Sequence, residues 1–336
     1  MNLRLIFYET TRACNMGCPH CRASAESARS PEELSAEEVR RFIDSAASFS
    51  RPVLVFSGGE PLLRPDIFDL VSYAKDAGLK PAIATNAALI GAAEARELKS
   101  RGLIAAAVSL YGPDGLSHDD FCGQPGAFEA TLAGIARLKG ESIPVQINTT
   151  VTKKNLPAIE EIGNTAQALG AESFHIFFLV PTGKGRAMTG DEITPEEYEA
   201  AFARLFEYQS RSPLKVKVTC APHYYRIAAQ RGARGGFTRG CLAGRGVCFI
   251  SCKGEVFGCG YLPVSAGSVR EQDLRTIWHD SGLFKALRDD GGLLGRCGAC
   301  EFKTVCGGCR ARAYAATGNY QEEEPKCVYQ PLKRRS

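Results

Sequence analysis

The chain has 336 residues, 44% hydrophobic and 23% charged, enough for one large domain or one domain with a smaller module. Its formal net charge of +4, from 41 basic and 37 acidic side chains, is too weak a bias to argue for nucleic acid or a membrane surface. No run of about 18 apolar residues exists to span a bilayer, and "MNLRLIFYET" reads directly into a strand with no signal peptide, so a cytoplasmic protein is expected.

In chain order, "LRLIFYET" is the first predicted strand. Ser35 and Glu38 form a capping box ahead of Val39, Phe42, Ile43 and Ala46, whose spacing predicts a helix. "PVLVFSGGE" is a short apolar run ending in glycines, as a buried strand reads. "PDIFDLVSYAKDAG" then puts Ile67, Leu70, Val71 and Ala74 on one helical face before Gly78. The alternation recurs with "KPAIATN" and "AAEARELKSRG", "LIAAAVSLYG" and "GAFEATLAGIARLKG", "IPVQINTTV" and "LPAIEEIGNTAQALG". "SFHIFFLVP" and "TPEEYEAAFARLFEYQ", opened by a Thr194–Glu197 capping box, complete six βα units.

Repeated βα units imply an α/β fold with a parallel sheet and helices outside it. Six units suit a partial barrel or a doubly wound sheet, and periodicity alone does not separate the two. After Pro213 the character changes, and two domains are expected, 1–218 and 219–336. Residues 226–246 hold Arg226, Arg231, Arg234, Arg239 and Arg245 and no acidic residue.

Fourteen cysteines in a cytosolic chain favour metal binding over a disulfide framework. Three are Cys14, Cys18 and Cys21; nine lie between Cys241 and Cys327; Cys122 and Cys220 stand alone. A structural zinc site closes with four ligands. The three thiolates of "TTRACNMGCPHC" leave one position open, which points to a metal centre that performs chemistry. In parallel α/β folds, ligands gather at the carboxyl ends of strands. The three cysteines follow the first strand, "SGGEPLLR" ends the second, Thr85 and Asn86 the third, and Ser109 the fourth, so these groups are expected on one rim. Gly58 and Gly59 let a ligand approach the backbone, and Glu60 is placed to receive an ammonium group.

C-x3-C-x2-C after the first strand, with GGEP after the second, resembles the radical S-adenosylmethionine superfamily over roughly residues 1–210. The resemblance implies a partial (β/α)6 TIM-type barrel holding a 4Fe–4S cluster on Cys14, Cys18 and Cys21. The open iron would chelate the amino and carboxylate groups of S-adenosylmethionine. Reductive cleavage would then give a 5′-deoxyadenosyl radical that abstracts hydrogen from substrate. By the same resemblance, Gly58, Gly59 and Glu60 hold the methionine amino group. Thr85, Asn86 and Ser109 serve its carboxylate and ribose, and Val180 lies near the adenine. Many members carry an aromatic residue before the third cysteine; here it is His20.

Towards the C-terminus, Cys241 precedes Gly254 and Cys259, followed by Cys297-x2-Cys300-x5-Cys306-x2-Cys309 and Cys327. Taken alone, two C-x2-C pairs fit a zinc ribbon as well as iron–sulfur clusters. The whole set resembles the SPASM auxiliary-cluster domain, which implies a cysteine-rich, loop-rich module with two auxiliary 4Fe–4S clusters. Cys241, Cys248, Cys259 and Cys309 would hold the first, and Cys297, Cys300, Cys306 and Cys327 the second. The family pattern has three residues before its fourth clustered cysteine, whereas here there are two, Gly307 and Gly308. Cys252 is surplus and reads as a small buried or exposed thiol.

Four stretches, "HIFFLVPTGKGRA", "TCAPHYYR", "CFISCKGEVFGCGYLPVSAG" and "VCGGCRARAYAATGNYQEEEP", resemble the iron-coproporphyrin III decarboxylases of the alternative haem pathway. That implies an iron-porphyrin substrate, two of whose propionates become vinyl groups, and an electron donor such as flavodoxin or ferredoxin. The didecarboxysirohaem deacetylases and the peptide-modifying SPASM enzymes share parts of the pattern, the latter acting on a peptide. The arginine stretch 226–245 reads either as a lining for propionates or as a solvated loop. His223 and Cys220 are candidate ligands of the haem iron, although an isolated His in "APHYYR" is more often structural. His118 fits a structural or a substrate-positioning role, and Cys122 reads as incidental.

Overall fold

The computed structural model describes residues 1–232 and 239–332. Its first part alternates strands with helices: β1 (Leu5–Glu9), α1 (Ala36–Phe49), β2 (Val53–Ser57), α2 (Ile67–Asp76), β3 (Lys80–Thr85), α3 (Ala92–Ser100) and β4 (Ala105–Ser109). It continues with α4 (Gly115–Cys122), α5 (Ala127–Gly140), β5 (Val145–Val151), α6 (Ile159–Ala168), β6 (Ser173–Phe178), α7 (Pro195–Arg211) and β7 (Lys215–Thr219). The rest supplies α8 (His223–Gln230), β8 (Val247–Ile250), β9 (Glu255–Phe257), β10 (Ser265–Ser268) and α9 (Leu274–Asp280). The short helices α10 (Gly282–Arg288), α11 (Gly295–Ala299) and α12 (Arg310–Thr317) close the chain.

The local signals act as their chemistry dictates. Ser35 and Thr194 accept from the third backbone N–H of α1 and α7, while Glu38 and Glu197 return the bond, so both capping boxes form. All six expected strands are present. A seventh, β7, comes from "KVKVT", where Lys215 and Lys217 alternate with the buried Val216 and Val218.

Strands β1 to β7 pair in sequential order and all in parallel. A doubly wound sheet reverses its order at a switch point. This sheet does not reverse, so right-handed crossovers carry its helices to one face, as in a barrel. On that outer face, Ile6, Tyr8, Leu54, Phe56, Ile83, Val108, Ile147 and Phe174 are fully buried. The Tyr8 ring lies 5.0 Å from Phe42 of α1, edge to face. Each such side chain contributes about 1.5–3 kcal/mol by burial. On the opposite, inner face, Phe7, Ser109, Asn148 and His175 are only partly buried.

The C-terminal part is built into the same sheet. β8 pairs in parallel with the free side of β1, Leu5 opposite Val247 and Ile6 opposite Cys248, and the antiparallel β9 and β10 extend it. Arg312 of α12 adds a second join: fully buried, it donates to the Leu179 carbonyl after β6 (3.0 Å) and pairs with Glu192 and Glu324. No helix among the described residues is long and apolar enough to cross a membrane.

Candidate functional site

The loop after β1 is clasped against the turn after β2. Gly59 N donates to Thr11 O at 2.8 Å and Glu60 N to Ala13 O at 2.7 Å, extending the pairing past both strands. A Cβ on Gly59 would sit 2.1 Å from Ala13 O, and one on Gly58, at φ +139°, 2.5 Å from Thr11 O. The two glycines therefore make room first for the cysteine loop itself, rather than for a ligand as the motif suggests. Glu33 holds the other side of the loop, accepting from Thr11 Oγ1 and the N–H of Arg12. Burial pushes the Glu33 carboxyl up, but these bonds and that from Arg29 outweigh it and hold it below its usual range.

Glu60 points inward. Its carboxylate is fully buried and accepts from the Thr85 hydroxyl and the N–H groups of Leu62 and Asn86, against which burial pushes it up to about 7. Through those bonds the Glu60 side chain joins the second strand end to the third. The carbonyl oxygens of Gly58 and Gly59 accept no hydrogen bond among the described residues. Arg64, missed in the motif, uses all five of its N–H groups on Tyr8, Thr10, Leu34 and Asp66, and so braces the end of β1 from behind.

The rim assembles as expected from the strand ends. Asn86 Nδ2 donates to Asn15 Oδ1 inside the cysteine loop (2.8 Å), and Ser109 hydrogen-bonds Tyr111. Val180 is buried just after β6, at the start of a segment that returns onto the cysteine loop through Lys184 N and Cys21 O (2.9 Å). His20 packs as an aromatic ring would, 4.5 Å from Tyr111 and 4.7 Å from Phe121. Burial pushes its pKa down to about 4, so it is neutral at pH 7.

Cys122 is not incidental. It packs with Met16 against Cys14 and Cys18, and its hydrogen bond pulls the Cys18 thiol below its usual range. Behind it, Tyr111 N donates to His118 Nδ1 (3.1 Å), leaving Nε2 as the protonated nitrogen, 3.4 Å from Cys122 Sγ. His118 is thereby a buried structural residue of this small cluster.

The remaining thiols fall into two groups. Cys297, Cys300, Cys306 and Cys327 line one cavity. Backbone N–H groups of Glu324 and Gly308 already point at the sulfurs of Cys297 and Cys306, at 3.3 and 3.4 Å. Gly307 and Gly308 both adopt positive φ, +74° and +58°, so the shortened spacer before Cys309 is a left-handed turn that suits glycine. The second group is Cys241, Cys259, Cys309 and Cys220. Burial pushes the Cys220 thiol up, and the charges of Cys309, Cys259 and Cys241 push it further.

Cys248 does not join that group. On β8, consecutive side chains face opposite ways. Phe249 faces Arg22, whose guanidinium lies 4.5 Å over its ring, and a Cβ on Gly260 would sit 3.2 Å from Phe249 Cδ2. Cys259 thus lies on the inner side. Cys248 is level with Ile6 on the outer side and fully buried in the helix-covered core, so the sheet separates it from Cys259. Cys252 is buried and hydrogen-bonds Glu9.

Two further expectations need correction. His223 is fully buried between Tyr198 and Phe202 and borders the four-thiol cavity, so it does not face an open pocket for haem iron. Cys220, half-buried, groups with three other thiols. The arginine stretch is already matched by acids from elsewhere: Arg226 pairs with Glu199, and Arg239 and Arg245 with Asp290. Arg231 lies 5.1 Å over Phe206, and Arg234 falls outside the described residues.

All fourteen cysteines are free thiols. Among the described residues, no three His, Cys, Asp or Glu side chains converge closely enough to hold one metal ion. A zinc ribbon demands that convergence. A 4Fe–4S cluster takes its cysteine ligands on separate irons and accepts thiols spread around a cage. The donor set, all sulfur and in one group of three and two of four, fits such clusters.

Comparison with known proteins agrees with this geometry. The radical SAM superfamily model matches residues 8–166, and an iron–sulfur cluster-binding domain model, SPASM, matches 241–301. An AdoMet-dependent heme synthase of Methanosarcina barkeri is 48% identical over 98% of both chains. One of Oleidesulfovibrio alaskensis is 41% identical over 98% of this chain and 88% of its own. SuiB of Streptococcus suis, crystallised with S-adenosylmethionine, shares the fold with a TM-score of 0.78 at 17% identity, over 98% of this chain and 78% of its own. The chain belongs to the radical S-adenosylmethionine superfamily, in the branch that carries a SPASM iron–sulfur domain.

Proposed function

We propose that the chain is a haem synthase, converting two propionates of iron-coproporphyrin III to the vinyl groups of haem b. The observation that carries this reading is the 48% identity with the M. barkeri heme synthase along the whole chain, both cysteine regions included. It is preferred to the deacetylase and peptide-maturase alternatives because the relatives at 41–48% identity carry that name. Per propionate, the substrate loses one hydrogen atom from the β-carbon, carbon dioxide and one electron. Bound clusters supply the one-electron chemistry: reductive cleavage of S-adenosylmethionine at the first site and an acceptor for the released electron at the others.

The chain's own residues hold and enclose these groups. Cys14, Cys18 and Cys21 would hold the first cluster. The unpaired carbonyls of Gly58 and Gly59 receive the cosubstrate's ammonium group, with Glu60 and Thr85 fixing the turn behind them. Asn86 and Ser109 serve its carboxylate and ribose, and Val180 lies beside the adenine. Cys220, Cys241, Cys259 and Cys309 hold one auxiliary cluster; Cys297, Cys300, Cys306 and Cys327 hold the other. An electron donor such as flavodoxin or ferredoxin and a cytoplasmic location, where thiols stay reduced, complete the reading.

The test is anaerobic. Reconstituted protein, dithionite and S-adenosylmethionine are mixed with iron-coproporphyrin III, and the porphyrins are weighed by mass spectrometry. Two successive losses of carbon dioxide and two hydrogens are expected. 5′-Deoxyadenosine formed beside unchanged porphyrin would leave the radical chemistry standing and reject this substrate.

A further inference from the structure

The parallel register sets Ser109, Asn148, His175 and Lys217 side by side on β4, β5, β6 and β7. Their strand neighbours Val108, Ile147, Ile176 and Val218 are buried under the helices, so alternation aims this row at the inner face. Every member offers a donor. Gln146 Nε2 donates to Asn148 Oδ1 at 2.7 Å, which engages the carbonyl and leaves the Asn148 NH2 to point elsewhere. Burial and the charge of Lys217 push His175 down to about 4, so its imidazole is neutral at pH 7. The charge acting on Lys217 is another cation, Arg4, and no ion pair among the described residues neutralises it. Two residues beyond His175 on the same face stands Phe177, flanked across the sheet by Thr150 and Thr219.

We propose that Asn148, His175 and Lys217 form the seat for a substrate carboxylate, with Phe177 supplying a flat apolar surface for the macrocycle above it. The inference rests on the haem-synthase reading and locates the substrate within it. Asn148 lies one strand from Ser109 and Lys217 three, so the seat starts beside the cosubstrate's residues and runs along the inner face to β7. It also supplies the cation that the arginine stretch, already paired with Glu199 and Asp290, does not. A substrate ester would lose the charged hydrogen bonds that make such a seat selective.

The experiment is an anaerobic absorbance titration of the reconstituted holoenzyme with iron-coproporphyrin III and, separately, with its tetramethyl ester. The wild type is expected to bind the tetra-acid at least about tenfold more tightly than the ester. Lys217→Met should weaken binding of the acid by about the same factor and leave that of the ester alone, while Lys217→Arg restores the acid. His175→Phe and Asn148→Ala should weaken the acid selectively as well. Circular dichroism and iron content matched to the wild type exclude misfolding. Equal binding of acid and ester, or of acid to wild type and Lys217→Met, overturns the seat. If the wild type binds neither porphyrin, the haem-synthase reading fails, and the seat with it.

Discussion

The Thr85 hydroxyl sits between the two carboxylate oxygens of Glu60, 2.8 Å from one and 2.9 Å from the other. This bond ties the end of β3 to the turn after β2 in a fully buried place, and it has a pH signature. Burial raises the Glu60 carboxyl to about 7 from an ordinary 4.5. Between those values the folded state keeps a proton that the unfolded state has released. Stability therefore falls as pH rises from about 4.5 to 7. Glu60→Gln should remove that part of the slope, up to about 3 kcal/mol, in denaturant melts at pH 5 and 7.5. Parallel profiles for the two proteins would contradict it.

Gly59→Ala tests the clasp. The new methyl would overlap Ala13 O at 2.1 Å, where backbone meets backbone and no side chain can swing away. The cysteine loop must shift, and reconstituted iron should drop by about four atoms per chain, one cluster's worth. Full iron with normal cosubstrate cleavage would show that the loop tolerates the displacement.

Arg64→Met should be among the most damaging substitutions outside the thiols. It leaves the Tyr8 hydroxyl and the carbonyls of Thr10 and Leu34 without their donor in the core. A loss of about 3–5 kcal/mol is expected in urea melts of the reconstituted protein. A loss below about 1 kcal/mol would mean that water replaces the guanidinium.

The fourth thiol of the first auxiliary group separates two structural alternatives. Cys220→Ala should lower bound iron and change the electron paramagnetic resonance of the reduced auxiliary clusters. Cys248→Ala should keep the iron and cost only the modest stability of a small core side chain, about 1 kcal/mol. The reverse pattern would restore Cys248 as the ligand.

Much of this is legible in the sequence. Six strands and the rim residues Thr85, Asn86 and Ser109 follow from periodicity, because each strand end in a parallel sheet delivers its residues to the same edge. The roles of Gly58 and Gly59 are not, since what they avoid is the backbone of Thr11 and Ala13, more than forty residues away. Cys248 and Cys220 show the same limit. Spacing identifies a thiol, but the face of the strand decides where it points, and β8 turns Cys248 into the core beside Ile6. β7 is different: the alternation in "KVKVT" is itself a strand signal, masked only by the change of character after Pro213.

The pairing of β1 with β8 also has a consequence in time. Leu5 finds Val247 only after about 240 further residues are made, which at ribosomal speeds of about 5–20 residues per second takes on the order of 10–50 s. Until then the first strand of the nascent chain keeps one side unsatisfied, an edge open to strangers. A sheet so arranged gains the second neighbour of β1 late, and β1 is the strand that most needs protection during synthesis.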